Sequence, residues 1–241
     1  MTNFVELEPV ERVLVVVAHP DDVDFGSAGT VAKWVSQGTQ VAYCIVTNGD
    51  AGGFDLAIDR SEMPAIRQRE QTNAARVVGV TDLTFLGYRD GELQVSMGLR
   101  RDIARKIRQF KPDRVLCQSA ERNYERIYAS HPDHLAAAEA TLCAVYPDAR
   151  NPFAFPELLA EQLEAYSVND VVMQASPTPN CYTDITDFVD RKISAILEHK
   201  SQMPNPEETV AFVKSWIGLS ATSVGLPEGR FAEVYQKVST S

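Results

Sequence analysis

The stretch VLVVVAHPDDVDFGSAGT, from Val13 to Thr30, has the pattern of a buried strand that runs into polar residues. It opens with a continuous apolar run, Val13 to Ala18, of the kind that is buried on both faces of a parallel sheet. His19 and two adjacent carboxylates, Asp21 and Asp22, follow that run. Neighbouring carboxylates repel each other and are costly to desolvate unless a positive charge lies nearby. A divalent metal ion is one such charge, so the stretch predicts a metal site whose other ligands lie elsewhere in the chain.

The composition is typical of a soluble globular domain. The chain has 241 residues, 44% of them hydrophobic, and a formal net charge of −10, which argues weakly against nucleic acid or an anionic membrane as a partner. The N-terminus lacks the pattern of a secretory signal, and no apolar run is long enough to span a membrane. The cysteines show no CxxC pairing and are predicted to be reduced; they are Cys44, Cys117, Cys143 and Cys181. We therefore predict a cytoplasmic protein with no membrane span.

Strands alternate with helices along the chain. Strands are predicted at 13–18, 40–47, 82–87, 113–119 and 170–175, and helices at 27–37, 64–78, 99–110, 132–145, 187–199 and 207–218. This alternation indicates βαβ units and a Rossmann-like three-layer α/β/α fold with a mostly parallel sheet. We expect one domain over residues 1–241, with a core at about 11–200 and a helical and loop segment at about 201–241.

Polar segments follow four of the predicted strands. They are residues 19–22, 47–50, 87–92 and 119–131. The carboxyl ends of parallel strands meet at one edge of a sheet, and ligands bind in the crevice there. The sequence therefore predicts a single site on this rim.

The remaining histidines offer the missing ligands. The motif HPDH places His131 and His134 one turn apart on the same face at the start of a helix. Together with His19 and Asp22, one of these two histidines gives a set of two imidazoles and one carboxylate. That is the open ligand set of catalytic zinc. Spacing alone does not decide which histidine of HPDH is the ligand. Since Asp21 and Asp22 point in different directions, one can bind metal while the other takes a proton from water.

Several motifs together resemble the LmbE-like, or PIG-L, family of zinc-dependent de-N-acetylases. They are VAHPDDVDFGSAGT, VTNGDAGG, the RxxE of residues 67–70, FLGYRDGEL, HPDH and ITDFVDRKISAILEHKSQ, and their order follows that family over nearly the whole chain. The resemblance implies that His19, Asp22 and His134 bind Zn²⁺, although such a site could accept another divalent metal such as Fe²⁺. It also implies that Asp21 is the general base and then the acid, and that His131 stabilises the oxyanion.

The same resemblance implies a substrate-binding group. Arg67 and Asp90 match positions that contact the sugar in the sugar-directed members of the family, and the segment around His199 suggests that this histidine faces the cleft. The function we expect is zinc-dependent removal of an acetyl group from an N-acetylated amino sugar or glycoside. The partner would be this small molecule, and a homo-oligomer is left open.

Other functions are kept as alternatives. One is an amidase that acts on a larger acyl amide, such as a thiol conjugate or a natural-product intermediate. Another is a non-catalytic, metal-dependent carbohydrate-binding protein, which would not need the second carboxylate, Asp21. A nucleotide-binding Rossmann protein is disfavoured because HPDD occupies the turn where a GxGxxG motif would lie.

Overall fold

The computed structural model describes residues 4–240, and an eight-stranded sheet organises this part of the chain. The strands are β1 (Val5–Glu6), β2 (Arg12–Val17), β3 (Gln40–Thr47), β4 (Asp82–Tyr88), β5 (Arg114–Gln118), β6 (Asp170–Gln174), β7 (Cys181–Asp184) and β8 (Ala232–Ser239). Their order is β1-β7-β8-β6-β5-β2-β3-β4, and β8 alone runs antiparallel to its neighbours. The predicted α/β fold with a mostly parallel sheet is confirmed.

Helices cover both faces of the sheet. They are α1 (Asp22–Ser36), α2 (Met63–Val78), α3 (Met97–Phe110), α4 (Pro132–Cys143), α5 (Pro156–Ala160), α6 (Val189–Ile196) and α7 (Pro206–Ser223). Successive side chains of β2 point to opposite faces of the sheet, and their packing shows the three layers. Leu14 and Val16 pack in a core that contains residues of α3 and α4, whereas Val15 and Val17 pack in a core that contains residues of α1 and α2. A strand buried on both faces explains the unbroken apolar run.

Strand β2 lies at the point where the chain reverses its direction across the sheet. Its neighbours are β3 on one side and β5 on the other, both parallel to it. The first crossovers lead from β2 to β3 and β4, and the later ones lead from β5 to β6 on the opposite side. A crevice forms at the carboxyl end of such a strand. Residues 19–22 leave β2 at this crevice.

Helix α1 begins five residues earlier than the sequence predicts, at Asp22 instead of residue 27. Asp21 precedes it in the left-handed conformation, and acidic side chains in the first turn suit the positive end of the helix dipole. Gly26 lies inside the helix and does not mark a turn. A Cβ atom at Gly26 would lie 2.1 Å from Oε1 of Gln174, so glycine lets the helix pack closely on β6.

The C-terminal part contains two strands that the sequence analysis missed, β7 and β8. The last predicted helix also continues to Ser223. β8 is half-exposed and β7 is four residues long, so neither has the apolar run that marks a central strand. The other predicted helices and strands agree with the structure within three residues at each end. Within residues 4–240, no helix is both long and apolar enough to cross a membrane.

Candidate active site

Three histidines meet at the carboxyl end of β2. His19 leaves β2, while His131 precedes α4 and His134 lies in its first turn. The ring centre of His19 lies 4.9 Å from that of His131 and 5.1 Å from that of His134. The ring centres of His131 and His134 are 5.4 Å apart. The crossover from β2 and the loop after β5 therefore bring together the two motifs that the sequence analysis singled out.

The atoms of the predicted ligand set are spaced as a tetrahedral metal ion would space them. Nδ1 of His19 lies 3.2 Å from Nε2 of His134 and 3.3 Å from Oδ2 of Asp22. Nε2 of His134 lies 3.0 Å from Oδ1 of Asp22. Zinc–ligand bonds of about 2.0 Å at tetrahedral angles place neighbouring ligand atoms about 3.3 Å apart. Two imidazoles and a carboxylate at these distances fit a divalent metal ion.

Each of these groups also has a further hydrogen-bond partner. Nδ1 of His134 lies 3.4 Å from the carbonyl oxygen of Ala129. Nε2 of His19 lies 3.1 Å from Oδ1 of Asp90. Oδ2 of Asp22 accepts a hydrogen bond of 2.7 Å from the Gln118 side chain. Such contacts orient metal ligands and fix the tautomer of each imidazole.

Two other sets of side chains also bring donor atoms within 4.8 Å of one another. One consists of the three histidines, and the other of His19, Asp90 and Asp133. Hydrogen bonds already occupy atoms of both sets, as they occupy Oδ2 of Asp22 in the predicted set. Nδ1 of His131 accepts the backbone N–H of Asp133, and the Asp133 carboxylate accepts the N–H groups of Gly91 and Leu93.

The electrostatic environment favours a positive charge within the cluster. Burial would raise the pKa of Asp22, but His134 and His19 hold it well below its usual range. Burial lowers the pKa of His19, yet Asp22 and the hydrogen bonds that His19 donates to Asp133 and Asp90 raise it to about 12. A place where carboxylates favour a protonated imidazole also attracts a divalent cation.

Asp21 is the carboxylate that stands apart from the metal cluster. Its φ of 98° is a strained, left-handed conformation for a residue other than glycine. Oε1 of Gln71 accepts its backbone N–H at 2.7 Å, and Nη2 of Arg67 donates to its Oδ2 at 2.9 Å. Burial raises the pKa of Asp21, and Arg67 opposes that shift. The strained turn thus gives two adjacent carboxylates different surroundings.

His131 is a half-buried imidazole beside the cluster. Its Nδ1 accepts the backbone N–H of Asp133 at 3.2 Å, which makes it the N-cap of α4. Burial, together with His19 and His134, lowers the pKa of His131. An imidazole that accepts at Nδ1 carries its proton on Nε2, so that atom is the hydrogen-bond donor.

Two of the three residues expected to contact substrate lie behind the cluster instead. Arg67 is 3% exposed and is held against Asp21. His199 is 0% exposed, and its Nε2 lies 2.8 Å from Oδ2 of Asp24. Because neither side chain offers surface to a ligand, this geometry does not support the direct contact that the resemblance implied. The third, Asp90, lies beside the cluster, with its carboxylate on His19.

The sequence analysis missed several supporting residues. Asp133 is fully buried against His19, and Gln118 holds Asp22. Gln71 donates to Asp24 and accepts from the backbone of Asp21. Only Asp133 carried a signal, since it stands between the two histidines of HPDH. The glutamines come from a buried strand and a helix and belong to no motif.

A pocket of about 700 Å³ opens beside the cluster. Asp22 and His134 lie in its wall at one end, and side chains of α7 line the other end. The volume is in the range of about 300–1,000 Å³ that is usual for small-molecule sites.

Residues 14–145 match the family described as PIG-L: GlcNAc-PI de-N-acetylase. The chain belongs to the PIG-L family. The predicted resemblance is therefore confirmed, and both the HPDD and the HPDH motifs lie within the matched residues.

Relatives of this PIG-L protein include deacetylases. It is 31% identical over 195 residues to the diacetylchitobiose deacetylase of Thermococcus kodakarensis. This match covers 81% of this chain and 71% of the relative. It is 29% identical over 198 residues to a probable N-acetyl-alpha-D-glucosaminyl L-malate deacetylase 2 of Bacillus anthracis, covering 79% and 81% of the two chains. The solved N,N'-diacetylchitobiose deacetylase of Pyrococcus horikoshii superposes with a TM-score of 0.87 at 30% identity, covering 95% of this chain and 84% of that one. The predicted class, an enzyme that cleaves amide bonds, agrees with these relatives.

Proposed function

We propose that this protein is a zinc-dependent hydrolase that removes the acetyl group from an N-acetylated amino sugar or its glycoside. The observation that carries the proposal is the ligand cluster of His19, Asp22 and His134, with a second carboxylate, Asp21, held beside it. A binding protein needs no such carboxylate, which argues against the carbohydrate-binding alternative.

The donor set suits zinc. Two imidazole nitrogens and one carboxylate oxygen form an open site, which leaves a position for water or substrate. Fe²⁺ and other divalent ions accept the same donors, so zinc is proposed on ligand type and number. Zinc in such a site supplies Lewis-acid chemistry, which makes water more acidic and polarises a carbonyl group.

Asp21 is assigned the proton transfers. Because Arg67 donates to Oδ2, we assign the transfer to Oδ1. The carboxylate accepts a proton from the attacking water and later delivers it to the amide nitrogen. The strained turn and the hydrogen bond from the backbone of Asp21 to Gln71 keep the carboxylate in place during these steps. Arg67 is a positioning residue for Asp21. His199 is another, because it acts on Asp21 through Asp24 and Gln71.

His131 is assigned to the oxyanion. Its Nε2–H donates to the carbonyl oxygen as negative charge develops there, while Asp133 fixes the ring through Nδ1. The C–N bond then breaks, and acetate and a free amine leave. Asp90 remains a proposed contact for the substrate at the edge of the cluster.

Acetate release tests the proposal. The protein would be loaded with Zn²⁺, treated with a chelator or reloaded, and assayed with N-acetylglucosamine, diacetylchitobiose and N-acetylglucosaminyl malate. We expect acetate from at least one of them, loss of activity after chelation and recovery with Zn²⁺. No acetate from any of these substrates, with metal bound, would overturn the sugar deacetylase assignment.

A second candidate is an amidase that accepts a larger acyl group. The pocket beside the cluster supports it, because about 700 Å³ exceeds what an acetyl group needs. N-acetyl, N-butyryl and N-benzoyl glucosamine distinguish the two functions. Faster release of the larger acyl groups would favour the amidase.

We also propose that the protein is cytoplasmic and that residues 1–241 form one domain. The oligomeric state is left open, and size-exclusion chromatography with light scattering would measure it.

A further inference from the structure

A buried ion pair lies behind the start of α1. Lys192 on α6 is 0% exposed and Glu233 on β8 is 4% exposed, and Nζ of the lysine lies 2.7 Å from Oε1 of the glutamate. Neither residue belongs to the ligand cluster or to the contacts that hold Asp21. Charges at this depth are costly to desolvate, so each of them needs hydrogen-bond partners beyond the other.

The ammonium group of Lys192 binds the backbone of α1. It donates to the carbonyl oxygen of Asp24 at 2.9 Å and to that of Phe25. Together with the contact to Glu233, these bonds use all three of its N–H donors. The lysine therefore holds two consecutive carbonyl groups at the end of the first turn of the helix.

The carboxylate of Glu233 binds the next turn of the same helix. Its Oε1 accepts the backbone N–H of Gly29 at 3.1 Å, and its Oε2 accepts that of Thr30 at 2.7 Å and the hydroxyl of Tyr235 at 3.0 Å. In a regular α-helix the carbonyl oxygen of Phe25 pairs with the N–H of Gly29. Each of these two backbone groups also contacts a member of the ion pair, so the pair links the first two turns of α1.

The turn that is held in this way carries parts of the proposed site. Its first residue, Asp22, is a member of the ligand cluster. Two residues later, Asp24 accepts a hydrogen bond from Gln71, which itself accepts the backbone N–H of Asp21. A shift of this turn would therefore move a metal ligand and loosen the proposed base together.

The stability of the fold does not by itself account for this ion pair. Apolar side chains of similar volume often stabilise a protein as well or better, because buried charges are costly to desolvate. Lys192 and Glu233 supply what apolar groups would not, namely directed hydrogen bonds to four backbone groups of one helix. Such bonds fix the position and rotation of α1 relative to α6 and β8.

We propose that Lys192 and Glu233 are positioning residues for the metal site, and that they act by fixing the first turn of α1. The proposal rests on the proposed function for the roles of Asp22 as a ligand and Asp21 as the base. Contacts that orient metal ligands commonly change metal affinity by about 10–100-fold. Without the pair, α1 should still form, but Asp22 should occupy a wider range of positions.

The chain offers a second buried ion pair for a matched test. Arg114 and Asp170 lie at the start of β5 and β6, at the end of the sheet opposite to the cluster. Glu233→Gln and Asp170→Asn make the same chemical change, from a carboxylate to its amide, in the two pairs. The affinities for Zn²⁺ and Co²⁺ would be measured by competition with a chromophoric chelator, and folding by circular dichroism and thermal unfolding.

The two amide variants should differ in metal binding. We expect Glu233→Gln to bind both ions about 10-fold more weakly than the wild type. The absorption spectrum of its Co²⁺ form should also change, because that spectrum reports the geometry of the ligands. Asp170→Asn should lower the unfolding temperature but keep the metal affinity and the spectrum of the wild type. Wild-type metal affinity in Glu233→Gln, or an equal loss of affinity in Asp170→Asn, would overturn the proposal.

A double variant covers the case in which a single substitution prevents folding. Lys192→Met/Glu233→Leu replaces the pair with apolar side chains of similar size, so no buried charge is left unpaired and the fold should be retained. We expect it to unfold cooperatively, as the wild type does, yet to bind metal about 10–100-fold more weakly. A folded double variant with the metal affinity of the wild type would overturn the proposal.

Metal binding is measured without substrate, which separates this proposal from the proposed function. If the variants lose metal affinity but the wild type releases no acetate from any acetamido sugar, the positioning role stands and the deacetylase assignment fails. If the wild type releases acetate and the variants keep its metal affinity, the positioning role is wrong. A wild type that binds neither ion would overturn both.

Discussion

The side chains at the two ends of the pocket differ in how firmly their positions are fixed. At the polar end, a second contact orients each candidate ligand: Asp90 for His19, Ala129 for His134 and Gln118 for Asp22. At the apolar end, Phe212 is 59% exposed and Leu219 is 69% exposed. The difference fits the proposed function, in which the polar end carries out the reaction and the apolar end only receives the rest of the substrate. Amide hydrolysis needs atoms placed within tenths of an ångström, whereas recognition of an aglycone needs only a complementary surface.

The largest expected effect is the loss of a ligand at the polar end. His134→Ala should reduce bound zinc to a trace and lower acetate release at least about 1,000-fold, because two donors remain. Gln118→Ala removes only the hydrogen bond that orients Asp22 and should weaken metal affinity by about 10–100-fold. Metal analysis and acetate assays would check both, with circular dichroism to confirm folding. Full zinc occupancy in His134→Ala would remove this histidine from the ligand set.

The next effect separates chemistry from metal binding within the polar end. Asp21→Asn should lower kcat by about 10²–10⁴-fold while zinc content stays unchanged, because the amide cannot accept the proton. Asp190→Asn, an exposed substitution on α6, is the control and should behave as wild type. A kcat within tenfold of wild type would show that another group is the base.

The smallest expected effect lies at the apolar end. Trp216→Leu should raise KM for aryl glycosides by about 3–10-fold, since an aromatic contact contributes about 0.5–1.5 kcal/mol. Zinc content should not change. The control is Phe153→Leu, because Phe153 is 88% exposed and outside the pocket. If kcat fell more than KM rose, the two ends would not be separate in function.

Local sequence predicted the central elements because their signals are local. An apolar run of strand length marks β2, and regular apolar spacing marks α2 and α3. The antiparallel β8 was missed because its pairing with β6 and β7 depends on residues 48 or more positions away. The burial of Arg67 and His199 was missed because the direction of a side chain follows from packing, which a motif does not record.

Residue identities along the chain were enough to indicate the donor types, their order and their position after predicted strands. Those features depend on residue identity and short-range spacing, so the HPDD and HPDH motifs could be singled out without coordinates, whereas the choice of His134 over His131 followed from the family resemblance. The folded chain was needed to show which carboxylate lies against His19 and His134, which groups hold Asp21 and where the pocket lies. These depend on contacts between segments far apart in the chain, such as α7 with the segment after β5, and local periodicity carries no information about such contacts.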